Sequence, residues 1–439
     1  MDEQRETLLL RRVARRLVPL LTIIYLIAYI DRANISYAKL TMVRALHLTE
    51  AEFGFAASVF FIGYLIFEVP SNLALNRFGA RPWIARIMFT WGLATALTAF
   101  VSSSTLFLVA RFVVGTCEAG LYPGIIFYLA LWFPQKQRTG IVGLLTLGSS
   151  LGNMFGSLIG GYSLELNGLL GLQGWQWVFL VTGIPAVLMT FVTLVFLPST
   201  PRDARFITAE EREAIAAALL RDPPPPKPVG GAPWNLASVL TVLLLAVGYG
   251  TISVAIYSIA YWMPTLVKGF GVSSGTNGLL NMVPWALASV LLFWLPRRLT
   301  TFRAVLLAAM AAAAIGIVLF LVSVSPVSNE LRFAALALGA PTLYLMIPCF
   351  WATPPRLLPS AFLKGAGGAA AMAVIVSGSA LGGFVAQNLM PWIAQVSGSA
   401  SLPMIAPACS LLLLGLAAFV VLLVTGTARN TGIPVASAR

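Results

Sequence analysis

A chain of 439 residues that is 59% hydrophobic and only 10% charged stands far from a soluble domain, at roughly 45–50% apolar and roughly 25% charged. Long apolar runs recur from Leu17 to Val424, so nearly the whole chain is expected in a lipid bilayer. The net charge of +13 invites a nucleic-acid partner, but its distribution is a topology signal and no such partner is expected. Lys39, Arg44, Lys268 and Arg332 fall at outer ends, Arg32 and Arg111 within spans, and every other lysine and arginine on the N-terminal side of the membrane. That asymmetry sets both termini in the cytoplasm.

At about 20 residues per span, twelve helices are expected, near residues 17–37, 54–76, 83–102, 106–133, 139–162, 175–197, 237–265, 276–296, 303–323, 332–353, 362–394 and 402–425. The first follows a basic segment. Its length, its Asp31-Arg32 pair and the lack of a small-residue cleavage site mark it as a retained span rather than a signal peptide. The longest polar interruption, Pro198 to Asn235, separates six spans from six. Within it Thr208-Ala209-Glu210-Glu211 has capping-box spacing ahead of a short helix ending near Leu220, and Pro223 to Pro226 forces extended backbone. The expected fold is therefore an all-α membrane protein of two pseudo-symmetric six-helix bundles: 1–197, a cytoplasmic linker over 198–236, and 237–439. Two such bundles can rock around a midplane site.

Catalytic readings fail early. The single histidine, His47, lies in an expected outer loop, and no Ser/His/Asp set, metal cluster or phosphate loop is present. Cys117, Cys349 and Cys409 all fall in expected helices without disulfide or metal spacing. The glycine-rich run at 365–370 does not follow a strand. Neither an enzyme activity nor a cofactor is expected.

Four stretches carry a family resemblance: YLIAYIDRANISYAKL, FEVPSNLALNRFGARPWIARI, RFVVGTCEAGLYPGIIFYLALWFP, and WQWVFLVTGIPAVLMTFVTLVFLPSTP with the RFITAEERE that follows. They resemble the major facilitator superfamily and, more narrowly, its anion:cation symporter family of bacterial carboxylate and sugar-acid uptake carriers. The match is dense over residues 15–220 and thinner afterwards, where YWMPTLVKGFGVS and SALGGFVAQNL still look related. The resemblance implies a monomeric secondary transporter that imports a small organic anion (a carboxylate, sugar acid or aromatic acid) together with protons by alternating access. Composition and short loops suggest a bacterial inner membrane.

Asp31 reads either as the end of a helix or as a proton carrier at membrane depth, where charge is costly; the resemblance favours the second. Arg32 beside it suits a carboxylate, because its planar fork engages both oxygens. Arg111 and Glu118 lie seven residues apart, on one helix face and ~10 Å apart along the axis. They form either a structural tie or a second half of the same cavity, with Gly115, Ala119 and Gly120 letting another helix approach. Asp31 and Glu118 are the expected proton-coupling acids. Tyr64 reads as packing or as a phenol facing Arg32. Ser149 and Asn153 on the fifth span, Tyr257 and Tyr261 on the seventh, and Asn277 and Asn281 on the eighth are further substrate candidates.

Glu68 sits nearer the cytoplasm and suits gating with Arg77 or Arg138. The loop from Asn72 to Arg81 resembles the superfamily's Gly-x-x-x-Asp-Arg-x-Gly-x-Arg gating signature. It keeps Arg77, Gly79 and Arg81 but has Asn72 and Asn76 for the Gly and the Asp. In the second half that signature is missing from LPRRLTTFRA. Val376, Ala380 and Pro355 stand where the family usually carries polar residues, which suits a less hydroxylated or partly aromatic acid. The rival readings are a drug/proton antiporter exporting lipophilic cations, a non-transporting membrane sensor, and a passive uniporter.

Overall fold

The computed structural model describes residues 3–221, 236–358 and 366–430; the proline run at 223–226 lies outside them. Among the described residues all regular structure is helical. In chain order the helices are α1 (Glu3–Ala45), α2 (Glu50–Phe78), α3 (Ala80–Thr98), α4 (Ser104–Glu118), α5 (Leu121–Ala130), α6 (Gln135–Glu165), α7 (Gly174–Phe196), α8 (Ala209–Leu220), α9 (Leu236–Lys268), α10 (Ser274–Trp294), α11 (Phe302–Val324), α12 (Asn329–Trp351), α13 (Pro354–Leu357), α14 (Ala366–Ser397) and α15 (Ile405–Asn430).

Among the described residues eleven helical segments are long and apolar enough to cross a membrane, with α4 and α5 counted together as Ser104–Ala130. The expected third span is α3, whose first two turns carry Arg81, Trp83 and Arg86 and which ends at Thr98. Two departures from the expected spans matter. First, α1 runs well beyond 17–37 at both ends, so Lys39, expected at an outer end, is only 2% exposed within the bundle. Second, the expected helix 106–133 is broken directly after Glu118. Pro123 has no amide to offer the Ala119 carbonyl, and its ring crowds that carbonyl. Gly120 takes φ 88 to restart the chain as α5, a conformation that glycine adopts without Cβ strain.

By its packing the chain forms two compact units, Met1–Leu48 with Val59–Pro224, and Thr49–Ser58 with Pro225–Arg439. In the first, α1 lies along α6 and α7, and α3 along α7. Small residues make this possible. Gly148, Gly152, Gly156 and Gly160 recur every fourth residue on α6 and face Tyr25, Tyr29, Ala33 and Tyr37 of α1; a Cβ at Gly152 would stand 2.3 Å from that of Tyr29. In the second unit α9 lies along α14 and α11 along α15. A Cβ at Gly378 of α14 would stand 2.2 Å from the Ala246 carbonyl oxygen of α9. Each unit thus pairs its first span with its fifth and its third with its sixth.

The expected linker helix is α8. Thr208 caps it, accepting from the Glu211 amide at 3.3 Å while the Glu211 carboxylate accepts from the Thr208 amide at 3.0 Å. It lies on the N-terminal extension of α1: Arg12 pairs with Glu211, and Arg221 with Glu6 at 2.9 Å. Ahead of it, Phe206 stacks on Trp132 at 6.1 Å and carries the Arg16 guanidinium at 4.5 Å.

Candidate functional site

The charged residues singled out in α1 and α4 meet within the first unit, but the pairs are crossed relative to the chain. Arg32 does not turn to its neighbour Asp31. Its Nε and Nη2 reach the same oxygen of Glu118, Oε1, at 2.7 and 2.6 Å. Glu118 is fully buried, while the Arg32 side chain keeps 21% of its surface exposed. The second carboxylate oxygen, Oε2, is buried without a hydrogen bond. Burying a charge this way is costly unless its partner stays in place.

Asp31, 2% exposed, is held by neutral donors. Trp91 Nε1 of α3 donates to its Oδ2 at 2.7 Å, and Thr95, one turn further on, at 3.1 Å. Asn34 Nδ2 donates to Oδ1 at 2.9 Å and also to Thr182 of α7 at 3.0 Å. Donors of α1 and α3 therefore share one carboxylate, and α7 joins them through Asn34. The α3–α7 contact that brings these donors together rests on Gly92 and Gly183, where a Cβ on either would meet backbone of the other helix at 2.7–2.9 Å.

Arg111 is 5% exposed on α4. Phe60 of α2 serves both arginines: its ring centroid lies 4.9 Å from Arg111 Cζ and 5.8 Å from Arg32 Cζ. Gly115 permits this, since a Cβ there would fall 2.0 Å from the Phe60 carbonyl oxygen. Arg32 also faces Tyr64 at 5.3 Å and Tyr29 at 5.2 Å. Tyr29 continues into Tyr25, whose ring also neighbours Tyr122 at 5.4 Å.

The remaining candidates are placed as follows. Glu68 is half-buried on α2, one turn beyond Tyr64. Arg77 is exposed beside the Phe78 ring. Gly79 has φ 87 and forms the turn into α3, and Arg81 donates to the Leu194 carbonyl of α7. Arg138 lies half-buried in the first turn of α6. Ser149 and Asn153 are each 7% exposed on α6, where Asn153 donates to the Ser149 carbonyl.

In the second unit Tyr261 is 2% exposed beside Trp262, and Tyr257 is half-buried. Asn277 and Asn281 are 0% and 1% exposed, and their amides tie the fold: Asn277 donates to the Pro264 carbonyl at 2.8 Å, and Asn281 to the Asn277 side chain at 2.6 Å. Among the described residues no group of three His, Cys, Asp or Glu could hold a metal. Asn34, Trp91, Thr95, Thr182, Tyr29 and Phe60 escaped the sequence reading. The Trp91–Thr95 spacing, one helical turn inside an apolar run, was the available signal for two of them.

Membrane-length helices packed in repeating pairs around buried acids and arginines define a multi-pass membrane carrier. Residues 21–382 match the family model of the Major Facilitator Superfamily, and the chain belongs to that superfamily of transporters. It is 36% identical over 400 residues, 90% of this chain and 87% of the other, to an Agrobacterium vitis protein named as a candidate tartrate transporter. It is also 36% identical over 390 residues, 88% of each chain, to a protein of Acinetobacter baumannii named as a quinolone resistance transporter. Its fold matches the inward-open xylose transporter XylE of Escherichia coli with TM-score 0.71 at 15% identity, over 92% of this chain and 95% of that one.

Proposed function

We propose that this transporter imports a small organic anion together with protons, by alternating access between the bundles 1–197 and 237–439, in a bacterial inner membrane with both termini in the cytoplasm. The observation that carries this reading is the single-oxygen grip of Arg32 on Glu118. While Glu118 is charged, it occupies the guanidinium that a substrate carboxylate needs. A proton on Glu118 weakens that grip and frees the fork to take both oxygens of an incoming anion. Anion and proton then favour each other's binding, which is the thermodynamic requirement for symport. Arg111 supplies the second cation, and Asp31 is the second acid to cycle.

The aromatic walls around Arg32, formed by Tyr29, Phe60 and Tyr64, suit a flat or weakly hydroxylated carboxylate. So do Val376, Ala380 and Pro355 in the second half and the internally bonded Asn277 and Asn281. The relative named for tartrate supports the carboxylate class. Arg77, Gly79, Arg81 and Arg138 are assigned to the cytoplasmic gate, and Glu68 to its junction with Arg32. A second reading, export of a drug, draws on the relative named for quinolone resistance.

Proteoliposomes under an imposed inward proton gradient decide between them, offered labelled aromatic acids, aldonic acids, a dicarboxylate and one lipophilic cation. Accumulation of a carboxylate that a protonophore abolishes is expected. Cation movement, or uptake indifferent to the gradient, would remove the symport reading, and robust aldonate uptake would remove the preference for weakly hydroxylated acids.

A further inference from the structure

The geometry points to Asn34 as a positioning residue that gives Asp31 a hydrogen bond both with and without a proton: its amide donates to the carboxylate and turns over to accept from the carboxylic acid. This rests on the reading of Asp31 as an acid that cycles. Asn34 lies three residues on from Asp31 along α1 and is 0% exposed. Its Nδ2 has two acceptors, Asp31 Oδ1 and Thr182 Oγ1. Its Oδ1 is buried and meets no donor. A buried amide oxygen left unsatisfied costs about 1–3 kcal/mol, and such an orphan in a native structure calls for an explanation.

Protonated Asp31 needs an acceptor, and the group bonded at its Oδ1 is the Asn34 amide, while the Thr95 hydroxyl meets Oδ2. Trp91 Nε1 is a donor only. The Thr182 hydroxyl donates to the Val178 carbonyl at 2.9 Å and accepts from Asn34 Nδ2 at 3.0 Å, so its bond within the cage is to Asn34. Trp91 and Thr95 both address Oδ2, so a proton arriving from the medium is best taken on Oδ1, where the facing group is the Asn34 amide. Half a turn about the terminal torsion of Asn34 exchanges its nitrogen for its oxygen. The new O–H of Asp31 then donates to Asn34 Oδ1, which gains the partner it lacks while Asp31 is charged, and Nδ2 moves to the place that Oδ1 left. No bond other than O–H forms, and the proton stays on Asp31 until it leaves. The same turn withdraws Nδ2 from Thr182, so α7 registers whether Asp31 is charged. The charged groups facing Asp31 are Arg111 and Glu118 of α4, while α3 and α7 present Trp91, Thr95 and Thr182; Arg32, next to Asp31 on α1, is turned to Glu118.

The test is a pH series of infrared spectra on the purified protein in lipid, with Asp31→Asn identifying the carboxyl band of Asp31. Wild type, Asn34→Leu and Asn34→Ser are compared; Asn34→Ala replaces the leucine variant if that does not fold. With leucine or alanine, Asp31 loses its Oδ1 partner in both states, so the C=O band of the protonated acid is expected to rise toward the position of an unbonded carboxylic acid while its midpoint moves by well under about one pH unit. Serine, whose hydroxyl both donates and accepts, is expected to return the band most of the way. A C=O band at the same position in all variants overturns the proposal while leaving Asp31 as a proton carrier, and so does a midpoint that moves by about one pH unit or more without Asn34, since the amide would then serve one state alone. An Asp31 band that never titrates in wild type overturns both, and leaves anion transport to be judged by uptake alone.

Discussion

The two halves of this transporter share a way of packing and differ in what they bury. In each, the first span lies along the fifth and the third along the sixth, through glycines that admit the facing helix. Yet among the described residues the buried charged side chains are Asp31, Lys39, Arg111 and Glu118, all in the first unit. The second buries only neutral polar groups, such as Ser253 bonded to Ser379 at 2.7 Å and the Asn277–Asn281 chain. A repeated backbone leaves side-chain chemistry free to diverge. One half carries charge that must be kept paired, and the other ties itself with bonds that need no proton.

The largest expected break in this contrast is Arg32→Ala. It leaves Glu118 buried without its cation, so transport should vanish and stability should fall by about 3–5 kcal/mol, read as thermal unfolding in detergent. Adding Glu118→Gln should restore most of the stability and none of the transport. If the single variant unfolds like wild type, the pair contributes nothing and the contrast loses its centre.

Matched glycine changes probe what the halves share. Gly152→Ala and Gly378→Ala each push a methyl into the facing helix, so each should cost about 1–3 kcal/mol. Markedly unequal losses would mean that only one half depends on close helix approach. A smaller effect is expected from Asn281→Ala, about 1 kcal/mol for one buried hydrogen bond, with the substrate KM unchanged. A raised KM would return Asn281 to the binding site.

The smallest effect lies outside the membrane, on the linker helix. The backbone N–H of Thr208 and then the Arg12 guanidinium hold the Glu211 carboxyl below its ordinary value. A group depressed in the folded state stabilises above its unfolded value and loses that contribution as pH falls through its folded value. For so exposed a pair this is under about 1 kcal/mol. Protection of the α8 amides, taken relative to the intrinsic exchange rate at each pH, should therefore fall only at acid pH in wild type, and Glu211→Gln should show the lower protection at neutral pH already.

Much of this was legible in the sequence. Long apolar runs give membrane helices because backbone groups in lipid must bond within the helix, and Thr208 three residues ahead of Glu211 marked the start of α8. The acids and arginines stood out because charge in an apolar run needs a reason. Their partners did not: Arg32 pairs across 86 positions with Glu118 while Asp31 turns to Trp91 and Thr95. That choice depends on which faces α3, α4 and α7 present to α1, and tertiary packing rather than spacing sets it. The break after Glu118 was written in Gly120 and Pro123, yet a continuous apolar run concealed it.

The most direct test of the coupling between Arg32 and Glu118 is to compare gradient-driven accumulation with substrate exchange in proteoliposomes carrying Glu118→Gln. With the competing charge removed and no proton taken up at position 118, the variant should swap substrate across the membrane at a rate near wild type and fail to concentrate it normally under an inward proton gradient. Normal accumulation by this variant would show that the proton travels elsewhere and that the buried pair is only a structural tie.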